Sequence, residues 1–301
     1  MKRKIVQHGS SSLTLTLPSK WVQKFDLKKG AELEVEESGS TLFVSTDKAV
    51  NIERKEFSAI EEGIFTKKNL SHLYQLGYDE VDIQFKDTKT LNEIKERLTN
   101  CLGFEIIDQK ENRVYIKSIA TTLETEFDTL LRKSFLITNE MGRGLIEALE
   151  KKEYQKLDDI ISLESLNNKF TDVCIRILNK KGYKIPKRSM QMYEIVKNIE
   201  RIADELKYIC ELLKDLNKSL SEELVFAFKK TFDYYLTFYD LFYKGTDELK
   251  KKIYSERKEL IKELTEKLSN TKGSESVFLH HLLNLIEKTY DGAGGYFALI
   301  L

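Results

Sequence analysis

The sequence predicts a multidomain chain that begins β-rich, passes through a small α/β layer of ferredoxin-like kind and ends in an all-α bundle of six helices, arranged as two three-helix repeats. Three observations carry this. Short apolar and polar alternations broken by glycine and proline fill residues 1–47. Helical and strand-like stretches alternate over residues 48–120. From 121 to 301 a helical apolar period runs through six stretches, and the third of each set of three carries a Glu and an Asp four residues apart.

In residues 1–47, Lys4 to Gln7 reads as a strand, and His8-Gly9-Ser10-Ser11-Ser12 as a small-residue turn. Leu13, Leu15 and Leu17 then alternate with Thr14 and Thr16, as a half-buried strand requires, until Pro18 stops them. Ser19 can cap a short helix through Trp21 and Phe25, and a hairpin about Ser38-Gly39 joins Leu33–Glu36 to Leu42–Val44. Charge is partitioned: Lys2, Arg3, Lys4, Lys20, Lys24, Lys28 and Lys29 face Asp26 alone, whereas the hairpin holds Glu32, Glu34, Glu36 and Glu37. The apolar set is too small for a comfortable core in one copy.

Over residues 48–120, helices are expected at 66–76 and 89–102 and strands at 79–85, 104–108 and 114–117, with Gly77 and Gly103 just past the helix ends. No phosphate-cradling loop and no Ser-His-Asp set appears, so this layer reads as a spacer or small-molecule sensor.

The bundle helices are expected from 121 through Leu149, then at 152–180, 188–215, 220–243, 246–269 and 275–297. Breaks fall at 181–186, near Asn217-Lys218-Ser219, at Lys244-Gly245 and at 270–273. Ile195, Ile199, Ile202, Leu206, Ile209 and Leu213 form a core stripe, and Glu200 and Asp204 point away from it as surface carboxylates. In the last helix His280, Asn284, Glu287 and Asp291 run down one flank, a set that suits a metal, while His281 lies on another face and reads as a surface residue. Like charges four apart destabilise a helix by roughly 0.2–0.5 kcal/mol, so neither pair helps its own helix. The aromatics crowding 226–243 read as packing residues, because no arginine interleaves them.

The whole chain is electrically balanced, with 49 Lys and Arg against 49 Asp and Glu, so any nucleic-acid site must be local. Its 3 cysteines, Cys101, Cys174 and Cys210, have no paired spacing and read as reduced, buried thiols of a cytoplasmic protein. No signal peptide opens the sequence and no apolar run approaches the ~18 residues of a membrane span.

Two resemblances sharpen this reading. The run from Val6 to Trp21, followed by Leu27-Lys28-Lys29-Gly30-Ala31-Glu32-Leu33, resembles the AbrB/MazE/SpoVT swapped-hairpin DNA-binding family. That resemblance implies two interlocked chains, with Lys2, Arg3, Lys4, Ser10, Ser12, Lys20 and Lys24 toward DNA. Asn198-Ile199-Glu200-Arg201-Ile202-Ala203-Asp204, with Ile161 to Asn167 as a second-helix signature, resembles the PhoU family of phosphate-uptake regulators, in an archaeal-type arrangement. It implies surface metal clusters, with Glu200, Asp204, Glu287 and Asp291 as ligands and iron, manganese or zinc as the ion. Gly292-Ala293-Gly294-Gly295 departs from the family's polar continuation.

The expectation is a non-enzymatic, homodimeric, phosphate-responsive transcriptional regulator that binds DNA through residues 1–47, carries a sensor bundle over 121–301 and does not insert into a membrane. The alternative is a partner protein that acts on a phosphate transporter or sensor kinase without touching DNA. A metal-dependent phosphatase lacks a placed nucleophile or general base.

Overall fold

A computed structural model of the 301-residue chain describes residues 2–46, 52–59, 67–120, 125–216 and 219–301. The expected boundaries at 47–48 and 121 and the break at 217–218 lie outside the described residues. Contacts group the chain into two compact units, Met1–Asn51 and Ile52–Leu301.

In the first unit, strand β1 (Val6–His8) turns at Gly9 and pairs antiparallel with β2 (Ser12–Thr14). Gly9 has φ +71°, where an L side chain would be strained. Helix α1 (Ser19–Lys24) follows Pro18, and β3 (Glu34–Ser38) pairs with β4 (Thr41–Ser45) about Gly39. Among the described residues of this unit none is buried. Leu13 and Leu15, expected on the inward side of a half-buried strand, are 71% and 56% exposed, and β2 ends before Leu15. The reason is quantity: with Leu42 and Val35 also about as exposed, one copy has no second apolar layer to close against.

The second unit starts with β5 (Arg54–Ser58), α2 (Lys67–Gln75), β6 (Glu80–Gln84), α3 (Thr88–Leu98), β7 (Phe104–Lys110) and β8 (Arg113–Ser118). The sheet order is β5-β6-β8-β7, with β5 and β6 parallel and the other pairs antiparallel. This corrects the ferredoxin-like expectation, which needs the order of elements β-α-β-β-α-β. Here the order is β-α-β-α-β-β. The strand at Arg54–Ser58 creates the difference; its Arg-Lys-Glu-Phe-Ser sequence shows almost no apolar alternation. Val81, Ile83, Val114 and Ile116 are fully buried on the inward face. Asp87 caps α3 by accepting from the Thr90 amide at 2.8 Å. The helix expected to 102 stops at Leu98, and the Thr99 hydroxyl takes the Glu96 carbonyl.

Six helices follow: α4 (Phe127–Lys151), α5 (Leu157–Lys181), α6 (Ser189–Asp215), α7 (Glu222–Lys244), α8 (Asp247–Ser269) and α9 (Ser274–Ile300). Each lies close to its expected span, because each has a continuous apolar stripe to bury. In α6, Ile195, Ile199, Ile202, Leu206 and Ile209 are all fully buried. Ser221 and Thr246 cap α7 and α8 by accepting the Leu224 and Leu249 amides. Helices α4 to α6 and α7 to α9 form successive sets of three, with the two third helices, α6 and α9, packed together. The Gly292–Gly295 run leaves α9 helical and lets it approach α6: a Cβ on Gly295 would stand 3.0 Å from the Ile195 side chain. Gly142 admits the Phe232 ring, which an added Cβ would meet at 1.9 Å. Cys101, Cys174 and Cys210 are buried and unpaired.

The α/β layer docks on α5 through buried charge. Arg176, 5% exposed, donates to the carbonyls of Tyr74 (2.9 Å) and Tyr78 (2.7 Å) and to Asp79 (2.6 Å). Its guanidinium lies over the rings of Tyr74 and Phe104 at 5.0 and 5.2 Å. One turn away, Asp172 of α5 accepts from Gln75 of α2 and Arg97 of α3.

Candidate functional site

Glu200 and Asp204 share the α6 flank that faces α5, as the four-residue spacing requires. They are half-buried rather than plain surface carboxylates, because α5 rises beside them. Lys197 reaches both Glu200 oxygens at 2.7 Å. Lys207 bridges Asp204 (3.0 Å) and Glu164 of α5 (2.7 Å). Glu164, 7% exposed, also accepts from Asn168 at 2.8 Å. Burial raises the Glu164 pKa, and the Asp204 carboxylate beside it adds to the rise against the pull of Lys207. Burial works against the Lys207 ammonium, but its two carboxylate partners outweigh it and hold its pKa well above the lysine range.

In the first motif Glu200 is therefore paired with Lys197, and Asp204 shares Lys207 with Glu164 of α5. Sequence spacing places Lys197 three residues before Glu200 and Lys207 three after Asp204 but cannot say that Lys207 also reaches α5. Among the described residues no three His, Cys, Asp or Glu side chains stand together as a ready metal cage.

The second motif is built differently. Arg257 of α8 grips Glu287 with two nitrogens, at 2.7 and 2.9 Å from Nη2 and 3.2 Å from Nε. Asp291 is pushed up by burial, with Glu287 and Glu194 adding to the rise and Arg201 and Arg257 opposing it. On the expected flank His280 is exposed and pairs with Asn284 at 3.2 Å, while Glu287 is taken by Arg257. His281, expected at the surface, instead faces Glu205 of α6 at 2.7 Å. Burial would raise the pKa of Glu205, 4% exposed, but hydrogen bonds from His281 and Lys288 bring it below the usual glutamate range. No local pattern marks this cross-repeat cluster; its members are 76 and 83 residues apart.

Asp172 links this region to the α/β layer and gives a pH prediction. Burial lifts it from 3.8 to about 6, against the pull of Arg97, and the charge on Glu200 adds to the rise. A raised carboxyl takes up a proton on folding. Its contribution is complete below pH 3.8 and is lost as pH rises through about 6. Stability should thus fall by on the order of 3 kcal/mol from this group between pH 4 and pH 7. Asp172→Asn should flatten that part of a stability-against-pH curve measured by urea unfolding.

In the first unit Lys2, Arg3, Lys4, Ser10, Ser12, Lys20 and Lys24 are all exposed. Arg3 reaches the Thr16 hydroxyl at 3.5 Å, and Lys24 lies 5.9 Å from the Phe25 ring centre. Ser10 lies in the turn after β1, and Ser12 opens β2 opposite His8.

Two sets of three helices, each with an acidic pair on its third helix, define a duplicated three-helix bundle. Residues 131–213, which run from α4 through α6 and include Glu200 and Asp204, match the family model described as PhoU domain. The match supports a PhoU-family protein, and with it an involvement in phosphate-uptake regulation. No curated protein matches the chain, and no solved structure matches it. Among the described residues no helix is long and apolar enough to cross a membrane.

Proposed function

We propose that the protein is a phosphate-responsive transcriptional regulator that binds DNA through its first unit and uses the helical bundle as sensor and interaction module. The reading rests on the PhoU-domain similarity for the bundle and on one observation for the first unit. That unit has no buried residue among those described, yet exposes Ile5, Val6, Leu13, Leu15, Val35 and Leu42 beside an exposed set of lysines and an arginine. A second copy of the chain supplies the missing apolar layer, as in the swapped-hairpin family it resembles. The pair doubles the basic edge and suits a two-fold DNA site. In the bundle, Glu164, Glu200 and Asp204 would hold an iron, manganese or zinc ion, displacing Lys197 and Lys207. The protein acts by binding rather than by catalysis, in the cytoplasm.

The PhoU similarity also favours a second reading, in which the chain partners a phosphate transporter or its sensor kinase and the first unit only joins two copies. DNA binding separates the two. If the basic edge neutralises phosphates, log K should fall with log salt by about 0.9 per phosphate contacted. Exchanging Lys2 and Lys4 for alanine should flatten that slope, and a slope left unchanged removes them from the contact set.

A further inference from the structure

The two repeats neutralise their acidic pairs with different cations. Between the second and third helices, the first repeat supplies a carboxylate, Glu164, against Asp204. The second supplies a guanidinium, Arg257, against Glu287. The rest of that wall is aromatic: Tyr254 of α8 meets Tyr290 edge-on at 5.9 Å and stacks on Phe297 at 5.2 Å.

We infer that Arg257 is the resident cation of the second repeat, so that Glu287 and Asp291 bind no metal and only the first repeat is an ion site. The clause about the first repeat rests on the metal reading above; the compensation of Glu287 by Arg257 does not. Three features make this cation hard to displace. A guanidinium cannot shed its proton, and its fork matches both carboxylate oxygens. It also lies 4.3 Å from the Tyr290 ring centre, so leaving Glu287 forfeits a cation–π contact as well. Lys197 and Lys207, by contrast, are point charges on flexible stems with no planar fork to match a carboxylate, although Lys207 too lies over a ring, that of Tyr208 at 4.9 Å.

Duplication of the helices therefore does not imply duplication of the site. The first repeat keeps carboxylates that can change partner, and the second has a fixed internal pair that braces α8 against α9.

The test uses the full chain freed of metal with chelator, titrated with Mn2+ while free Mn2+ is counted by electron paramagnetic resonance. Glu200→Ala with Asp204→Ala should abolish uptake. Glu287→Ala with Asp291→Ala should leave the stoichiometry unchanged, and a loss of bound Mn2+ in that variant overturns the proposal. Melting of the chelated protein gives an independent readout. Arg257→Gln should lower Tm by about 2–4 °C. Adding Glu287→Gln should recover most of the loss, because the repulsion between Glu287 and Asp291 goes with it. An unchanged Tm in Arg257→Gln overturns the assignment of the resident cation. If the unaltered chain binds no Mn2+, the metal reading of the first repeat fails, and the melting series still decides for or against Arg257.

Discussion

Alanine in place of Arg176 should cost the Ile52–Leu301 unit about 3–5 kcal/mol, because it removes one partner of a buried ion pair and leaves the others without it. The guanidinium serves two carbonyls and one carboxylate at once, so its loss strands Tyr74 and Tyr78 oxygens at the end of α2 and removes one of two cations from Asp79. It also empties the slot between two aromatic rings. Arg176→Lys should rescue only partly: a single ammonium cannot reproduce the planar fork. Urea unfolding followed by helix signal would measure the cost. Hydrogen exchange should show that β5 to β8 lose protection before the bundle does. A change below about 1 kcal/mol would mean that the α/β layer is held by its apolar contacts alone.

The second large effect concerns the first unit. Every buried residue among those described lies between Leu70 and Tyr296, so removal of residues 1–51 takes away no core from the remainder. The shortened chain should melt cooperatively with its helical signal intact. It should also lose the partner copy, because the exposed leucines and valines that call for a second layer are gone. Light scattering should therefore report a pair for the full chain and a single copy for the shortened one. A shortened chain that remains paired would place the contact between copies in the second unit.

The bundle was legible because its information is local. An apolar residue every third or fourth position says where a helix runs and which side it buries, and the α6 stripe lies fully inside. The acidic pairs were legible as spacings, and their placement on one flank follows from helical geometry. What the spacings do not carry is the partner from another element. Glu164 meets Lys207 across 43 positions, Arg257 meets Glu287 across 30, and Arg176 meets Tyr74 across 102. No period connects them. Strand β5 was missed for a related reason: Arg54, Lys55 and Glu56 are exposed, and Arg54 reaches across to the buried Asp82 of β6, so its pattern does not announce a strand. The glycines of α9 lie inside the helix expected at 275–297, and closeness to α6 offsets what they lack in helix propensity.

The central claim is that the first unit reads DNA, and the most direct measurement is a titration of duplex DNA with the full chain and with the chain lacking residues 1–51, each at low and at moderate salt. The account predicts salt-sensitive binding by the full chain, steep enough to reflect phosphate contacts from two copies, and none by the shortened chain. Equal affinity of the two chains, or no binding by either, would contradict it and leave the transporter or sensor-kinase partner as the function of this protein.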